Sequence, residues 1–286
     1  MSLPVILGIA GPILGDDEAK LLRDYPPRGI ILFARNIMNP SQLSELNKSL
    51  AVILPPGAII MVDQEGGRVA RLRAPHWPEL PPAANLKTAE AAYAHGQALG
   101  GMVKAAGFTM TAAPVLDLRY PGASDVIGDR AISEDPKIVA FLGAKLAEGI
   151  ISTGVTPVIK HIPGHGRAQI DSHLGLPKIA SNMDLAPDFF PFIANNALPW
   201  AMTAHIVYEA YDPERPATLS PKVICEVIRG KIGFSGTLVS DDLAMGALSG
   251  TPSERAMAAL KAGCDVALYC PGDMAGNLSI LRAIAA

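Results

Sequence analysis

The chain has 286 residues, of which 49% are hydrophobic and 18% charged, and its formal net charge is −3. This length allows one large α/β domain or two small ones, and the low charged fraction excludes intrinsic disorder. The slight negative charge, without a cluster of Lys and Arg, argues against a nucleic-acid partner. No apolar stretch reaches the roughly 18 residues that a membrane span needs, so we expect no membrane partner either.

The first twelve residues, MSLPVILGIAGP, form an apolar segment that is either a buried strand or a signal peptide. Its start has no basic residue, and Pro4 and Gly8 interrupt it, which favours the strand. The three cysteines (Cys225, Cys264 and Cys270) are odd in number and lack metal-type pairing. Such usage is typical of a reducing compartment, so we expect a cytoplasmic protein.

Short apolar runs alternate with longer helical patterns along the whole chain. Eight runs have the buried character of parallel strands: 5–10, 29–33, 58–62, 109–115, 155–159, 200–204, 237–240 and 265–269. Helical patterns cover 16–25, 40–54, 88–106, 136–153, 183–195, 221–231, 252–262 and 272–286. Eight such alternations predict a (β/α)₈ TIM barrel rather than a doubly wound sheet, whose glycine-rich phosphate turn is missing here. No linker divides residues 1–286, so we expect a single domain.

Ionisable residues follow five of the predicted strands. They are Asp63, Asp117 with Arg130 further on, Lys160 with His161, His205, and Asp241 with Asp242. In a TIM barrel the carboxyl ends of the strands carry the active site. Because ionisable groups are costly to bury unless they pair or bind something, their convergence at one face predicts a functional site.

Asp241 directly follows the predicted strand 237–240, which would hold its carboxylate rigidly. A carboxylate in this position can act as a nucleophile, a general base or a metal ligand. The alternative is structural, because the run LAMGAL after Asp242 looks helical and an aspartate before it would cap a helix.

The segment 160–177, KHIPGHGRAQIDSHLGLP, concentrates titratable residues in one loop. Asp171 and His173 are two residues apart, which allows the carboxylate to orient the imidazole as an acid/base pair. Both could instead hydrogen-bond to the loop backbone. A metal site is a third alternative, since the loop offers four acceptable ligands: His161, His165, Asp171 and His173. Pro-Gly at 163–164 breaks any helix between the first two histidines, so we expect no metal.

Five residues have the chemistry that binds sugar hydroxyl groups: Asp63, Arg71, Arg130, Lys160 and His161. A carboxylate accepts two hydrogen bonds from adjacent hydroxyls, and cationic donors orient the ring. The alternative for the two arginines is a structural ion pair with Glu65 or Asp129.

Three motifs in this order, VDQEGGRVARL, KHIPGHG with DSH and LP, and VSDDLAM, resemble glycoside hydrolase family 3. The resemblance is strongest to the bacterial β-N-acetylhexosaminidase branch and extends from about Leu7 to the last strand. It implies that Asp241 is the catalytic nucleophile and that His173, with Asp171 as its partner, is the general acid/base. It further implies that Asp63, Arg71, Arg130, Lys160 and His161 hold a terminal N-acetylglucosamine.

By this resemblance the reaction is the retaining, exo-acting removal of β-linked N-acetylglucosamine through a covalent glycosyl-enzyme intermediate. The implied substrate is a muropeptide fragment, N-acetylglucosaminyl-1,6-anhydro-N-acetylmuramic acid, in cytoplasmic cell-wall recycling. No cofactor is implied, and we expect a monomer. Two alternatives stay open: phosphorolysis by a related enzyme, since a neutral histidine tolerates an incoming phosphate, and a catalytically silent sugar-binding barrel.

The sequence departs from the family in two respects. Position 162 is Ile where relatives often have Phe, which we expect to be a tolerated packing change. Larger relatives append a second sandwich domain that supplies a carboxylate acid/base, whereas here one predicted helix follows strand eight. We therefore expect the loop histidine to serve as the acid/base.

Overall fold

The computed structural model describes residues 2–172 and 175–286. The strands within these residues are β1 Leu3–Gly8, β2 Pro27–Leu32, β3 Ile59–Val62, β4 Met110–Thr111, β5 Thr156–Pro157, β6 Ile159–Ile162, β7 Lys178–Ile179, β8 Trp200–Thr203, β9 Val207–Tyr208, β10 Thr237–Asp242 and β11 Val266–Tyr269. The α-helices are α1 Asp16–Asp24, α2 Pro40–Ile53, α3 Ala89–Ala105, α4 Pro136–Ser152, α5 Ala186–Ala194, α6 Pro252–Ala262 and α7 Met274–Ala285. A helix with π-type hydrogen bonds spans Val223–Lys231.

Nine of the described strands form one parallel sheet in the order β5-β4-β3-β2-β1-β11-β10-β8-β6. The two end strands, β5 and β6, are consecutive halves of one strand that is interrupted at Val158. The amide of Val158 donates to the carbonyl of Thr111, and the amide of Leu116 donates to the carbonyl of Lys160. The sheet therefore closes on itself as a barrel that has eight strands when β5 and β6 are counted as one. The predicted (β/α)₈ TIM barrel is confirmed.

The barrel has two apolar layers, which follow from the period-two alternation of side chains along a strand. Ile6 of β1 belongs to a cluster with Met61, Val239 and Leu268 inside the barrel. Its neighbours in β1 pack instead in the larger outer cluster, beneath the helices. Both layers are buried, so the strands read as continuous apolar runs in the sequence.

Side chains cap the starts of two helices. The Asn39 side chain accepts from the amide of Gln42 at the start of α2, and Pro40 occupies the first turn. Thr251 forms a capping box with Glu254 at the start of α6. No helix within the described residues is long and apolar enough to cross a bilayer.

Several predicted boundaries were wrong. The fifth strand was expected to end at Ile159 but continues through β6, so Lys160 and His161 lie inside a strand. Strand β10 continues through Asp242, and turns rather than a helix follow it at 243–250. The short strands β7 and β9 form a separate parallel pair that the sequence pattern did not indicate.

Candidate active site

A cavity of about 470 Å³ opens at the carboxyl ends of the barrel strands. Seven of the eight residues predicted for the site line it: Asp63, Arg71, Arg130, Lys160, His161, Asp171 and Asp241. The eighth, His173, lies outside the described residues. The convergence of strand-end polar residues that the sequence predicts is therefore present in the structure.

Irregularities in two strands bring polar side chains into this cavity. Between β6 and β8 the register moves from Lys160 opposite Met202 to Ile162 opposite Thr203, so β6 carries one extra residue at His161. Such bulges redirect side chains and occur often beside active sites. This explains why Lys160 and His161, although adjacent in a strand, both line the cavity.

Four of the sugar-binding candidates and Glu65 form an ion-pair network in which positive and negative side chains alternate. Lys160 Nζ lies 2.7 Å from Asp63 Oδ1 and also pairs with Glu65, and Arg71 donates to Asp63 Oδ2 at 2.8 Å. Arg130 donates to both oxygens of Glu65, at 2.8 and 2.9 Å. The predicted ion-pair alternative therefore holds for Arg130 and Glu65, while Arg130 still lines the cavity.

Glu65 is the buried carboxylate of this network that joins Arg130 to Lys160. Burial alone would raise the pKa of its carboxyl, but the charges and hydrogen bonds of Arg130 and Lys160 lower that pKa to about 2. The three cations and two carboxylates of this network pair with one another, so they present a fixed, preorganised set of donors and acceptors to the cavity. A ligand bound here would meet them without further ordering of long side chains.

Asp117 orients His161. Asp117 is 1% exposed and accepts from Nδ1 of His161 at 2.7 Å, from the amide of His161 and from the amide of His165 at 2.6 Å. Burial opposes ionisation of Asp117, but these two histidines hold its pKa below the usual range. Because Nδ1 of His161 faces this carboxylate, Nε2 is the ring nitrogen left to contact a ligand.

Asp241 is the second-to-last residue of β10, at the carboxyl end of the strand. Its amide donates to Thr203 Oγ1 at 3.2 Å, and its Oδ1 accepts from the amide of Asp242 at 2.8 Å. Burial would raise the pKa of Asp241, but His161 and His205, with the Asp242 amide and Lys160, hold it below the usual range. Asp241 is therefore an ionised carboxylate in the cavity wall, which a nucleophile must be.

The neighbouring Asp242 has a structural role, but it is not the helix cap that the sequence offered as an alternative. No helix follows it, so it is not a helix cap. Its Oδ1 accepts from the amides of Ala244 and Cys270, both at 3.0 Å, and joins the end of β10 to the end of β11. Burial holds the pKa of Asp242 above its usual range, whereas the neighbouring charges hold the pKa of Asp241 below it.

The described part of the strand-six loop is anchored at Ser172. Ser172 Oγ lies 3.1 Å from Nε2 of His165, and the Ser172 carbonyl accepts from the amide of Ala247 at 3.2 Å. Both Ser172 and His165 are 2% exposed, and burial, with the charge of His161, lowers the pKa of His165 to about 4. His165 is therefore neutral near pH 7, and these bonds hold the adjacent Asp171 at the cavity wall.

Within residues 2–172 and 175–286, no three His, Cys, Asp or Glu side chains are grouped as a metal ion would require. The two described histidines of the segment 160–177 have other partners. His161 pairs with Asp117, and the imidazole of His165 faces Ser172.

Sequence reasoning missed several residues of the site. Phe33 lines the cavity, and the guanidinium groups of Arg35 and Arg71 lie 5.1 and 5.3 Å from the centre of its ring. Its place at the end of a predicted strand was a usable signal. Thr203 and Thr218 lie behind Asp241 and carry no sequence signal that separates them from ordinary core or turn residues.

The barrel is parallel and carries imidazoles and ionised carboxylates at the carboxyl ends of its strands. This arrangement is typical of TIM-barrel enzymes that act on polar small molecules. Comparison with known proteins narrows this class. Residues 11–285 match the glycosyl hydrolase family 3 N-terminal domain. The chain is 40% identical over 284 residues to a beta-hexosaminidase of Alkalilimnicola ehrlichii, covering 93% of this chain and 80% of that protein.

Solved structures agree with the sequence comparison. The β-N-acetylglucosaminidase of Paenibacillus sp. has a TM-score of 0.91 at 33% identity, covering 98% of this chain and 56% of that one. NagZ of Neisseria gonorrhoeae, solved in complex with N-trifluoroacetyl-D-glucosamine, has a TM-score of 0.86 at 33% identity, covering 99% and 90%. The chain belongs to glycosyl hydrolase family 3 and is a glycoside hydrolase.

Proposed function

We propose that this protein is a retaining exo-β-N-acetylglucosaminidase whose nucleophile is Asp241. The observation that carries the proposal is the ionised Asp241 carboxylate in a cavity lined by Asp63, Arg71 and Lys160. The names of the relatives, beta-hexosaminidase and β-N-acetylglucosaminidase, support the choice of sugar.

In the first step Asp241 attacks the anomeric carbon of the terminal N-acetylglucosamine. Because Oδ1 accepts from the Asp242 amide, we assign the attack to Oδ2. The bond from this carbon to the glycosidic oxygen breaks, and His173, with Asp171 as its partner, donates a proton to the leaving oxygen. A covalent glycosyl ester on Asp241 and a free alcohol result.

In the second step His173 takes a proton from water, whose oxygen attacks the anomeric carbon. The ester bond breaks and the Asp241 carboxylate is restored, so the two inversions give net retention. A histidine suits this role because it is neutral when deprotonated. It therefore adds no negative charge beside Asp241, whose own carboxylate charge returns when the ester bond breaks.

The remaining cavity residues hold the sugar in this scheme. Asp63 accepts from hydroxyl groups, while Lys160, Arg71 and Arg130 donate to them. His161 contributes Nε2, since Asp117 occupies its Nδ1. These groups bind the ring at fixed positions and thereby align the anomeric carbon with Asp241.

We further propose that the natural substrate is N-acetylglucosaminyl-1,6-anhydro-N-acetylmuramic acid or its peptide forms, in cytoplasmic peptidoglycan recycling. The similarity to NagZ supports this choice. The free thiols of Cys225, Cys264 and Cys270 fit a reducing compartment.

Proton NMR of the purified protein turning over an aryl β-N-acetylglucosaminide tests the reaction type. The proposal predicts that the β-anomer of N-acetylglucosamine appears first and that the rate does not depend on phosphate. Early α-anomer would contradict retention. A rate that requires phosphate, with sugar 1-phosphate as the product, would contradict hydrolysis and establish the phosphorylase.

A further inference from the structure

The regular strand ladder ends just before Asp241. Strand β10 pairs with β8 only as far as Val239, opposite Met202. With β11, the register moves from Val239 opposite Val266 to Asp242 opposite Leu268, so β10 carries one extra residue at its end. At a bulge of this kind the backbone loses regular ladder hydrogen bonds and needs other partners.

Three buried side chains supply those partners. The amide of Asp241 donates to Thr203 Oγ1 at 3.2 Å, and Thr203 Oγ1 lies 2.7 Å from Thr218 Oγ1. Thr218 Oγ1 lies 2.7 Å from Nδ1 of His205, and Nε2 of His205 lies 2.9 Å from the carbonyl of Asp242. The circuit therefore starts at the amide of Asp241 and returns to the carbonyl of the next residue.

The hydrogen atoms of this circuit run in one direction. A carbonyl only accepts, so Nε2 of His205 carries the proton, and burial keeps the ring neutral by lowering its pKa. Nδ1 then accepts from Thr218, whose oxygen accepts from Thr203, whose oxygen accepts from the Asp241 amide. The carbonyl of Ala204, 3.1 Å from Thr218 Oγ1, is the alternative acceptor for the Thr218 hydroxyl if Nδ1 becomes protonated.

All three side chains are 0% exposed. A buried polar network of this kind holds a unique geometry only when every member is satisfied, and loss of one member leaves its partners unpaired. Thr218 lies in the turn Ala217–Leu219, on a different segment from the strand that carries Asp241. Among the residues that the structure describes, its hydroxyl is the only hydrogen-bonding link between the Thr203 and His205 side chains.

We propose that Thr218 is a positioning residue for Asp241, which acts through Thr203 and His205 by fixing the Asp241–Asp242 peptide and the orientation of the His205 ring. The proposal rests on the proposed function, in which Asp241 is the nucleophile. The charged or titratable groups that interact electrostatically with Asp241 are Lys160, His161, His165, His205, Asp242 and Cys270. None of them forms a hydrogen bond with the Thr218 side chain except His205.

The test compares Thr218→Val, which keeps the shape and removes the hydroxyl, with Thr218→Ser, which keeps the hydroxyl. We expect Thr218→Val to lower kcat about 10- to 100-fold, since buried groups lose their partners, with KM within about twofold. Thr218→Ser should stay within about threefold of the natural chain. Circular dichroism and the melting temperature establish that each variant is folded.

If Thr218→Val does not fold, Thr203→Val breaks the next link and should show the same loss of kcat. An unchanged kcat in a folded Thr218→Val or Thr203→Val variant would overturn the proposal, as would equal losses in Thr218→Val and Thr218→Ser. The premise is tested separately by Asp241→Asn. An active Asp241→Asn variant would contradict the proposed function, whereas an inactive one beside a normal Thr218→Val would contradict only the positioning role.

Discussion

Nδ1 of His161 lies 2.7 Å from Oδ2 of Asp117, a carboxylate that is 1% exposed. Asp117 follows β4, and His161 lies in β6 of the adjacent interrupted strand. Asp117 also accepts from the backbone amides of His161 and His165. One buried carboxylate thus sets both the ring orientation of His161 and the start of the loop that follows it.

Asp117→Asn should therefore weaken substrate binding through His161. Hydrogen bonds to a charged acceptor are worth about 1.5–3 kcal/mol, so we expect kcat/KM to fall about 10- to 100-fold. Steady-state kinetics on an aryl β-N-acetylglucosaminide measures the effect, with Asp24→Asn, from an exposed pair with Lys20, as the control. Unchanged kinetics would show that the Asp117 charge is not needed to orient His161.

Glu65→Gln should destabilise the fold in a pH-dependent way. The folded pKa of Glu65, about 2, lies below the usual 4.5, so its stabilising effect is present above about pH 4.5 and is lost as the pH falls toward 2. Removing this charge leaves Arg130 and Lys160 short of a buried partner, at a cost of about 3–5 kcal/mol near neutral pH.

Urea unfolding at pH 7 and pH 3 measures this difference. The gap between the natural chain and Glu65→Gln should be large at pH 7 and smaller at pH 3. Glu45→Gln, from an exposed pair with Lys48, is the matched control and should change little at either pH. A gap that does not shrink at low pH would contradict the role assigned to the Glu65 charge.

His173→Ala should act selectively on the leaving group. A general acid matters most when the departing oxygen is basic, and its loss costs about 10²- to 10⁴-fold in such a case. We expect a much larger loss on a disaccharide than on an aryl glycoside whose phenol leaves readily. Rates on the two substrates measured side by side test this, and equal losses would argue against His173 as the acid.

Asp241→Asn and Asp242→Asn form a matched pair of adjacent substitutions. Asp241→Asn should lower kcat by at least about 10³-fold because the nucleophile is lost. Asp242→Asn keeps an oxygen that accepts from the amides of Ala244 and Cys270, so it should retain most of the activity. Similar losses in both variants would contradict the division of roles between the two carboxylates.

The sequence predicted the barrel and the convergence of its strand-end polar residues for one physical reason. In a (β/α)₈ barrel every strand ends at the same face, so the ends of predicted strands identify which polar residues converge. Asp63 and Asp241, 178 positions apart in the sequence, were brought to one cavity by this rule. The predicted single domain, the monomeric state and the cytoplasmic location stay predictions.

Details that depend on register were beyond the sequence. Bulges at His161 and at the end of β10 decide which side chains face the cavity, and no residue pattern marks them. The bridging position of Glu65 depends on where Arg130 and Lys160 meet, which is a long-range relationship. Thr218 likewise has a role only through partners on other strands.

The most direct test of the central claim is covalent trapping of the nucleophile. The protein is incubated with a 5-fluoro N-acetylglucosaminyl donor, which slows breakdown of the intermediate, and is then digested for peptide mapping by mass spectrometry. The assignment of Asp241 as the nucleophile predicts one sugar per chain, attached to Asp241, with no label in Asp241→Asn. Label on another residue, or turnover of the donor without any labelled protein, would contradict it.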